Sequence, residues 1–187
     1  MRRSSLAQMW MLPIVIACSD PPDRVTEGGW LEASWTGADS GRIAAPATAE
    51  WCEERRVLEI RAIRGDTGVA LAFHVVDTIE ADTYSVVPPE RADTQPPSAS
   101  AALRVFSTTA IQGYQSDSGT VVLKRSGSGE LSGTVEVSAR SVANGQQLMI
   151  TGEMGDLLMV PQVRGCGPET AADSADSSAE SSGADVD

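Results

Sequence analysis

Alternation with a period of two is the feature that most limits what this chain can fold into. Between residues 57 and 76, Leu58, Ile60 and Ala62 point one way while Glu59 and Arg61 point the other. Gly65-Asp66-Thr67-Gly68 supplies a turn, after which Val69, Leu71, Phe73 and Val75 share a face opposite Ala70, Ala72 and His74. That is the pattern of a half-buried hairpin, because successive side chains of a strand project to opposite faces. A helix would repeat every 3.6 residues, and no such period runs through this stretch. The same alternation marks residues 30–36, where Leu31, Ala33 and Trp35 interleave with Glu32, Ser34 and Thr36. Shorter β-rich runs follow at 84–87, 102–106 and 109–114. Residues 120–124 and 131–139 face one another across Ser126-Gly127-Ser128-Gly129. Asn144-Gly145 predicts a tight type I′ turn, since both residues tolerate positive φ, and leads into a strand over 147–151. A Gly155-Asp156 turn then precedes a last strand over 157–163. About eight to ten short strands with turns between them predict an all-β fold, an antiparallel β-sandwich or a small β-barrel.

The breaks in this pattern set the domain plan. Residues 37–50 are small and polar, contain Pro46, and read as a loop. Residues 88–100 hold Pro88-Pro89 and Pro96-Pro97 with few apolar residues, and predict a long exposed loop. Residues 168–187 carry six acidic residues, no basic ones and a single large aliphatic, Val186. Such a segment has too little apolar surface to offset the entropy of ordering, so it reads as a disordered acidic tail. A single β domain over 29–167 is expected between a leader and this tail.

The leader is a separate signal. Arg2 and Arg3 precede a mostly apolar run, Leu6 to Ala17, which closes on Val15-Ile16-Ala17-Cys18. The run is about a dozen residues, whereas a membrane-spanning helix needs ~20. A basic start, a short apolar middle and a small residue before the cut describe a cleaved signal peptide over residues 1–17. The last four residues resemble the lipobox of bacterial lipoproteins. The resemblance implies that Cys18 is the lipidation site and first mature residue, with 18–28 as a tether containing Pro21-Pro22. It also implies residence in the bacterial cell envelope and a membrane partner engaged through lipid on Cys18. Ser19 rather than an aspartate follows the cysteine, which by the sorting rule of enteric lipoproteins implies the outer membrane.

Charge and cysteine usage narrow the chemistry. The chain has 26 acidic against 14 basic residues, a net charge of −12. A nucleic-acid partner is excluded on that ground, because phosphate backbones are repelled by such a surface. With Cys18 lipidated, Cys52 and Cys166 remain, an even number in an oxidising compartment, and predict a disulfide that clasps the two ends of the domain. The bridge would leave no thiolate for a metal, and His74 is the only histidine, so no metal site and no cofactor are expected. His74 lies among small residues of a predicted strand, and no glycine-x-serine-x-glycine elbow accompanies it. Adjacent carboxylates such as Glu53 and Glu54, or Asp77 and Glu80, are commonplace in so acidic a chain. Trp30, Trp35 and Trp51 suit core packing better than sugar stacking. Arg64-Gly65-Asp66 resembles the integrin-recognition tripeptide, but turn chemistry accounts for it. The expected function is therefore a non-catalytic, envelope-anchored binding or structural module whose partner, an envelope protein or a small ligand, is unknown. Gly28-Gly29-Trp30 resembles the start of lipocalin barrels and implies an alternative, a barrel carrying a small apolar ligand.

Overall fold

The computed structural model describes residues 28–106, 110–162 and 166. It is built almost wholly of strands: β1 (Trp30–Gly37), β2 (Gly41–Cys52), β3 (Val57–Arg64), β4 (Thr67–His74), β5 (Thr83–Val86), β6 (Ser98–Phe106), β7 (Ile111–Arg125), β8 (Leu131–Ser141), β9 (Gln147–Leu157) and β10 (Met159–Pro161). One short helix, α1 (Pro89–Ala92), interrupts them. Of the two expected architectures, the barrel is the one formed. Nine strands close on themselves in the order β1-β9-β8-β7-β5-β6-β4-β3-β2, with β1 also paired to β2. β6 and β7 pair directly at one end of the barrel, from Ala102↔Gln115 to Phe106↔Ile111, and β5 wedges between them at the other. β10 adds to β2 in parallel, outside the ring.

The β3–β4 hairpin has the expected register, with Ile60 opposite Leu71 and Leu58 opposite Phe73. Its inward residues are buried, while its outward ones range from half-buried, such as Ala70 and Ala72, to exposed, such as Arg61. The inward sets of all the ring strands meet in one contiguous cluster that fills the barrel, including Leu31, Leu58, Ile60, Phe73, Leu103, Val121, Val137 and Ile150. Tyr84 brings β5 into this core through an edge-on contact with Phe73, ring centroids 5.1 Å apart. Gly133 and Gly152 let neighbouring strands come close, since a Cβ at either would overlap a backbone carbonyl, of Val122 and Glu32 respectively.

Several predicted boundaries move. Residues 41–50 are not a loop but most of β2, in which Ile43, Ala45, Ala47 and Ala49 are buried on alternate positions. Three alanines gave that face a weak apolar signal, and Pro46 stands on the other, exposed face. Pro46 is tolerated because β2 changes partner there, pairing β1 up to Pro46 and β3 from Ala47 onward. The break at 88–100 is shorter than expected: α1 starts with Pro89 in its first turn, where the missing N–H is harmless. Ser98, Ala99 and Ser100 are buried members of β6. Residues 111–114 of one predicted run and the run at 120–124 are parts of one strand, β7, carrying an irregularity between Ser116 and Ser118. Asp156 adopts φ 55° within β9 and does not end it. Asn144-Gly145 is no two-residue turn. Only Gly145 has positive φ, and Ser141 accepts from the Gly145 amide across a wider loop. Residues 1–27 and 167–187, with the signal peptide, Cys18, the tether up to residue 27 and the acidic tail, lie outside the described residues.

Strand directions sort the turns between two ends. Loops 38–40, 65–66 and 142–146, with the end of β6 at Phe106 and the start of β7 at Ile111, gather at one end. The first strand begins, and Cys52, Val57, His74, Ser98, Leu131 and Leu157 lie, at the other. Cys166 joins Cys52 at that second end, so both termini of the described domain leave from the disulfide end.

Candidate functional site

The residues flagged in the sequence fall into place one by one. Cys52 and Cys166 form the expected disulfide, their Cα atoms 5.2 Å apart and 114 residues apart in sequence. Cys52, Cys166 and Glu54 are the group among the described residues that gathers three potential metal ligands, within 4.8 Å. The disulfide removes both thiolates from that set. His74 is mostly buried on the outer side of β4, and its Nδ1 lies 2.8 Å from an Asp93 carboxylate oxygen. Burial lowers the His74 pKa below its ordinary value, and Asp93 offsets part of that effect. Ser98 sits directly across from His74. It is only 1% exposed and donates its hydroxyl to the Ala92 carbonyl, so it offers no accessible nucleophile. The pairing of Asp93 with His74 was not legible in the sequence, because the two lie 19 positions apart with no periodicity linking them.

The acidic pairs do not meet as acid–base couples. Asp77 pairs with Arg56 at 3.0 Å, and Glu53 accepts from the Trp51 indole at 2.6 Å. Asp117 pairs with Arg140. Trp35 is a core residue, 4% exposed, with Gly41 lying against its ring. Trp30 packs over Gly155 and donates to Asp156.

One concave feature was not legible from single residues. It is a hollow of about 890 Å³ on the outside of β7, β8, β9, β1 and β2. Its floor consists of two rows of outward side chains that the strand registers align. One row runs Val122, Thr134, Glu153, Glu32, Ala44, and the next runs Thr120, Glu136, Thr151, Ser34, Arg42. Arg64 closes one margin by donating to the Ala44 carbonyl at 2.8 Å, where β2 and β3 have parted. Ser34 and Thr151 hydroxyls are hydrogen-bonded at 3.2 Å. Glu32 and Glu153 stand directly opposite one another, an arrangement of like charges that costs stability. Among the described residues, neither they nor Glu136 has an ion-pair partner.

No known protein family, curated protein or solved structure matches the chain. Its chemistry therefore has to be read from the surface itself. The hollow offers carboxylates, hydroxyls and two guanidinium groups, a set suited to hydrogen bonding and charge pairing with a polar partner. Each strand showed its half of this face as the polar members of an alternating run. Which strands stand side by side depends on ring closure, and that pairing is not written in any local pattern.

Proposed function

We propose that the protein is an envelope-anchored, non-catalytic barrel module, held to the membrane by acyl chains on Cys18, that recognises a polar partner on the outside of its barrel. The observation that carries this reading is where space is found. The interior is filled by the core cluster, whereas the 890 Å³ hollow is floored by outward-facing polar residues. A carrier of apolar molecules needs its apolar cavity inside. A closed barrel is compatible with that lipocalin-like alternative, but the filled interior favours a module whose outer face does the work. The unrelieved opposition of Glu32 and Glu153 supports it further, since a partner bearing a positive group would remove a cost the free protein carries. Outer-membrane residence follows from Ser19 beside the lipidated cysteine.

The recognition surface is tested by site-specific photo-crosslinking in the native envelope. A crosslinker at Thr134 or Thr151, in the hollow, should capture a discrete partner, and one at Thr48, outside it, should not. Equal capture from all three positions, or none from the hollow, would refute the reading. Anchoring is tested separately: Cys18→Ala should abolish acylation and release the protein from the membrane fraction. Wild-type mature protein that is soluble and begins at another residue would reject it.

A further inference from the structure

The Cys52–Cys166 bridge has a neighbour that a purely structural clasp does not need. A Glu54 carboxylate oxygen lies 2.6 Å from the Cys166 sulfur and 3.8 Å from that of Cys52. In the oxidised bridge neither sulfur has a proton to give, so Glu54 receives no hydrogen bond there. Among the described residues it has no ion-pair partner either. Its place is set by the turn 53–56, which joins β2 to β3. On one side of it Glu53 accepts from the Trp51 indole. On the other, Arg55 pairs with Glu59, and Arg56 donates to the Val76 and Asp77 carbonyls. The Cys52 sulfur lies 2.9 Å from the Cys166 carbonyl oxygen. Opened to two thiols, the bridge would thus find an acceptor in place for each: Glu54 for Cys166, and the Cys166 carbonyl for Cys52.

We propose that Cys52, Cys166 and Glu54, once the bridge is reduced, form a binding site for a divalent cation of the zinc type. Their three donor atoms already lie within 4.8 Å of one another. Around a tetrahedral zinc ion, sulfur and oxygen ligands stand roughly 3.5–3.8 Å apart. Releasing the S–S bond and parting the two sulfurs therefore brings all three donors into coordination range. Two thiolates and a carboxylate suit zinc, whereas magnesium and calcium take oxygen ligands. Three protein ligands leave the fourth position to water. The reductant is a dithiol. Its thiolate attacks the sulfur of Cys166, which is 8% exposed where Cys52 is 0%, and Cys52 leaves as a thiolate. The second sulfur of the dithiol then closes its own disulfide and releases Cys166 as the other thiolate. Two electrons pass from the dithiol to the bridge. The two protons the dithiol gives up go to solvent, because the cation and not hydrogen occupies the thiolates. The bound ion then joins the same two points of the chain that the bridge joined, so the domain keeps a clasp in both redox states.

The test is an anaerobic Co²⁺ titration of the full chain carrying Cys18→Ala, reduced with dithiothreitol that is then removed. One Co²⁺ per chain should bind, with sulfur-to-cobalt charge-transfer absorption and the strong visible bands of a tetrahedral ion, and Zn²⁺ should displace it. The oxidised chain should show neither band. Glu54→Gln should weaken Zn²⁺ binding at least about tenfold, the lower end of what changes just outside a metal's own ligands cost. Zn²⁺ should also raise the melting temperature of the reduced chain by at least about 4 °C, because it binds the folded chain in preference to the unfolded one. Absence of the charge-transfer band after reduction, or one Co²⁺ shared between two chains, would overturn the proposal. So would a band without a gain in melting temperature, or Zn²⁺ affinity unchanged by Glu54→Gln, since either result would mean that two cysteines bind the metal without the folded site.

Discussion

Removing the disulfide should cost this domain a large part of its stability. Cys52 and Cys166 close a loop that holds β3 to β10, so the unlinked unfolded chain regains nearly all its freedom. The chain-entropy relation for a loop of 114 residues gives about 4.8 kcal/mol at 25 °C, and measured losses for native bridges run at about 2–5 kcal/mol. For a domain of roughly this length, 1 kcal/mol moves the melting temperature by about 4 °C. The Cys52→Ala/Cys166→Ala variant should therefore melt about 8–20 °C below the oxidised parent, by calorimetry or circular dichroism. Both cysteines are buried, 0% and 8% exposed, so part of the loss is packing. Comparing the variant with the reduced, alkylation-free parent separates the two contributions, because the reduced protein keeps both sulfur atoms in place. A drop of less than about 4 °C in both would refute the idea that the bridge matters by constraining the unfolded chain.

The other expectations are narrower. Phe73→Ala, at the centre of the barrel, should cost about 3–5 kcal/mol in denaturant melts. Trp35→Phe should cost under about 1.5 kcal/mol, because the lost ring area is offset by removing a buried indole N–H that has no hydrogen-bond partner; a loss as large as that of Phe73→Ala would contradict this. Gly119→Ala should lower the melting temperature by more than about 4 °C, since φ is 135° there and a Cβ would overlap the Glu136 carbonyl. His74 contributes to acid sensitivity with a definite sign. Its folded pKa is lowered, so the folded state takes up fewer protons than the unfolded state once pH falls below the ordinary 6.5. Its share of stability is full above that value and is lost as pH falls through the folded pKa. Between pH 7 and pH 5 the His74→Gln variant should lose less stability than wild type, and identical slopes would remove His74 from the acid response.

How far the sequence foretold this can be seen strand by strand. β3 and β4 were legible because Leu58, Ile60, Leu71 and Phe73 are large and alternate with polar or small residues. β2 was not, because its inward face is mostly alanine, whose small side chain gives little contrast with the glycine, proline and threonine around it. The disulfide followed from cysteine parity, which needs no knowledge of pairing. The outer hollow escaped because it exists only once Glu32, Glu136 and Glu153 are aligned across three strands. Alignment of that kind is fixed by closure of the ring, a property of the whole chain and not of any window of it.

Closure also leaves one weak corner. β1 covers β2 only as far as Pro46, so the upper strand edge beyond it would be bare without β10, which pairs from Ala49 to Trp51. A bare edge is a template on which another chain can add a strand and begin to aggregate. Here the patch is three residues long and ends in Pro161, which has no N–H to donate. Sheet growth from this corner therefore meets a short strand that lacks a donor at its last position, and a crowded compartment would have little ladder to extend.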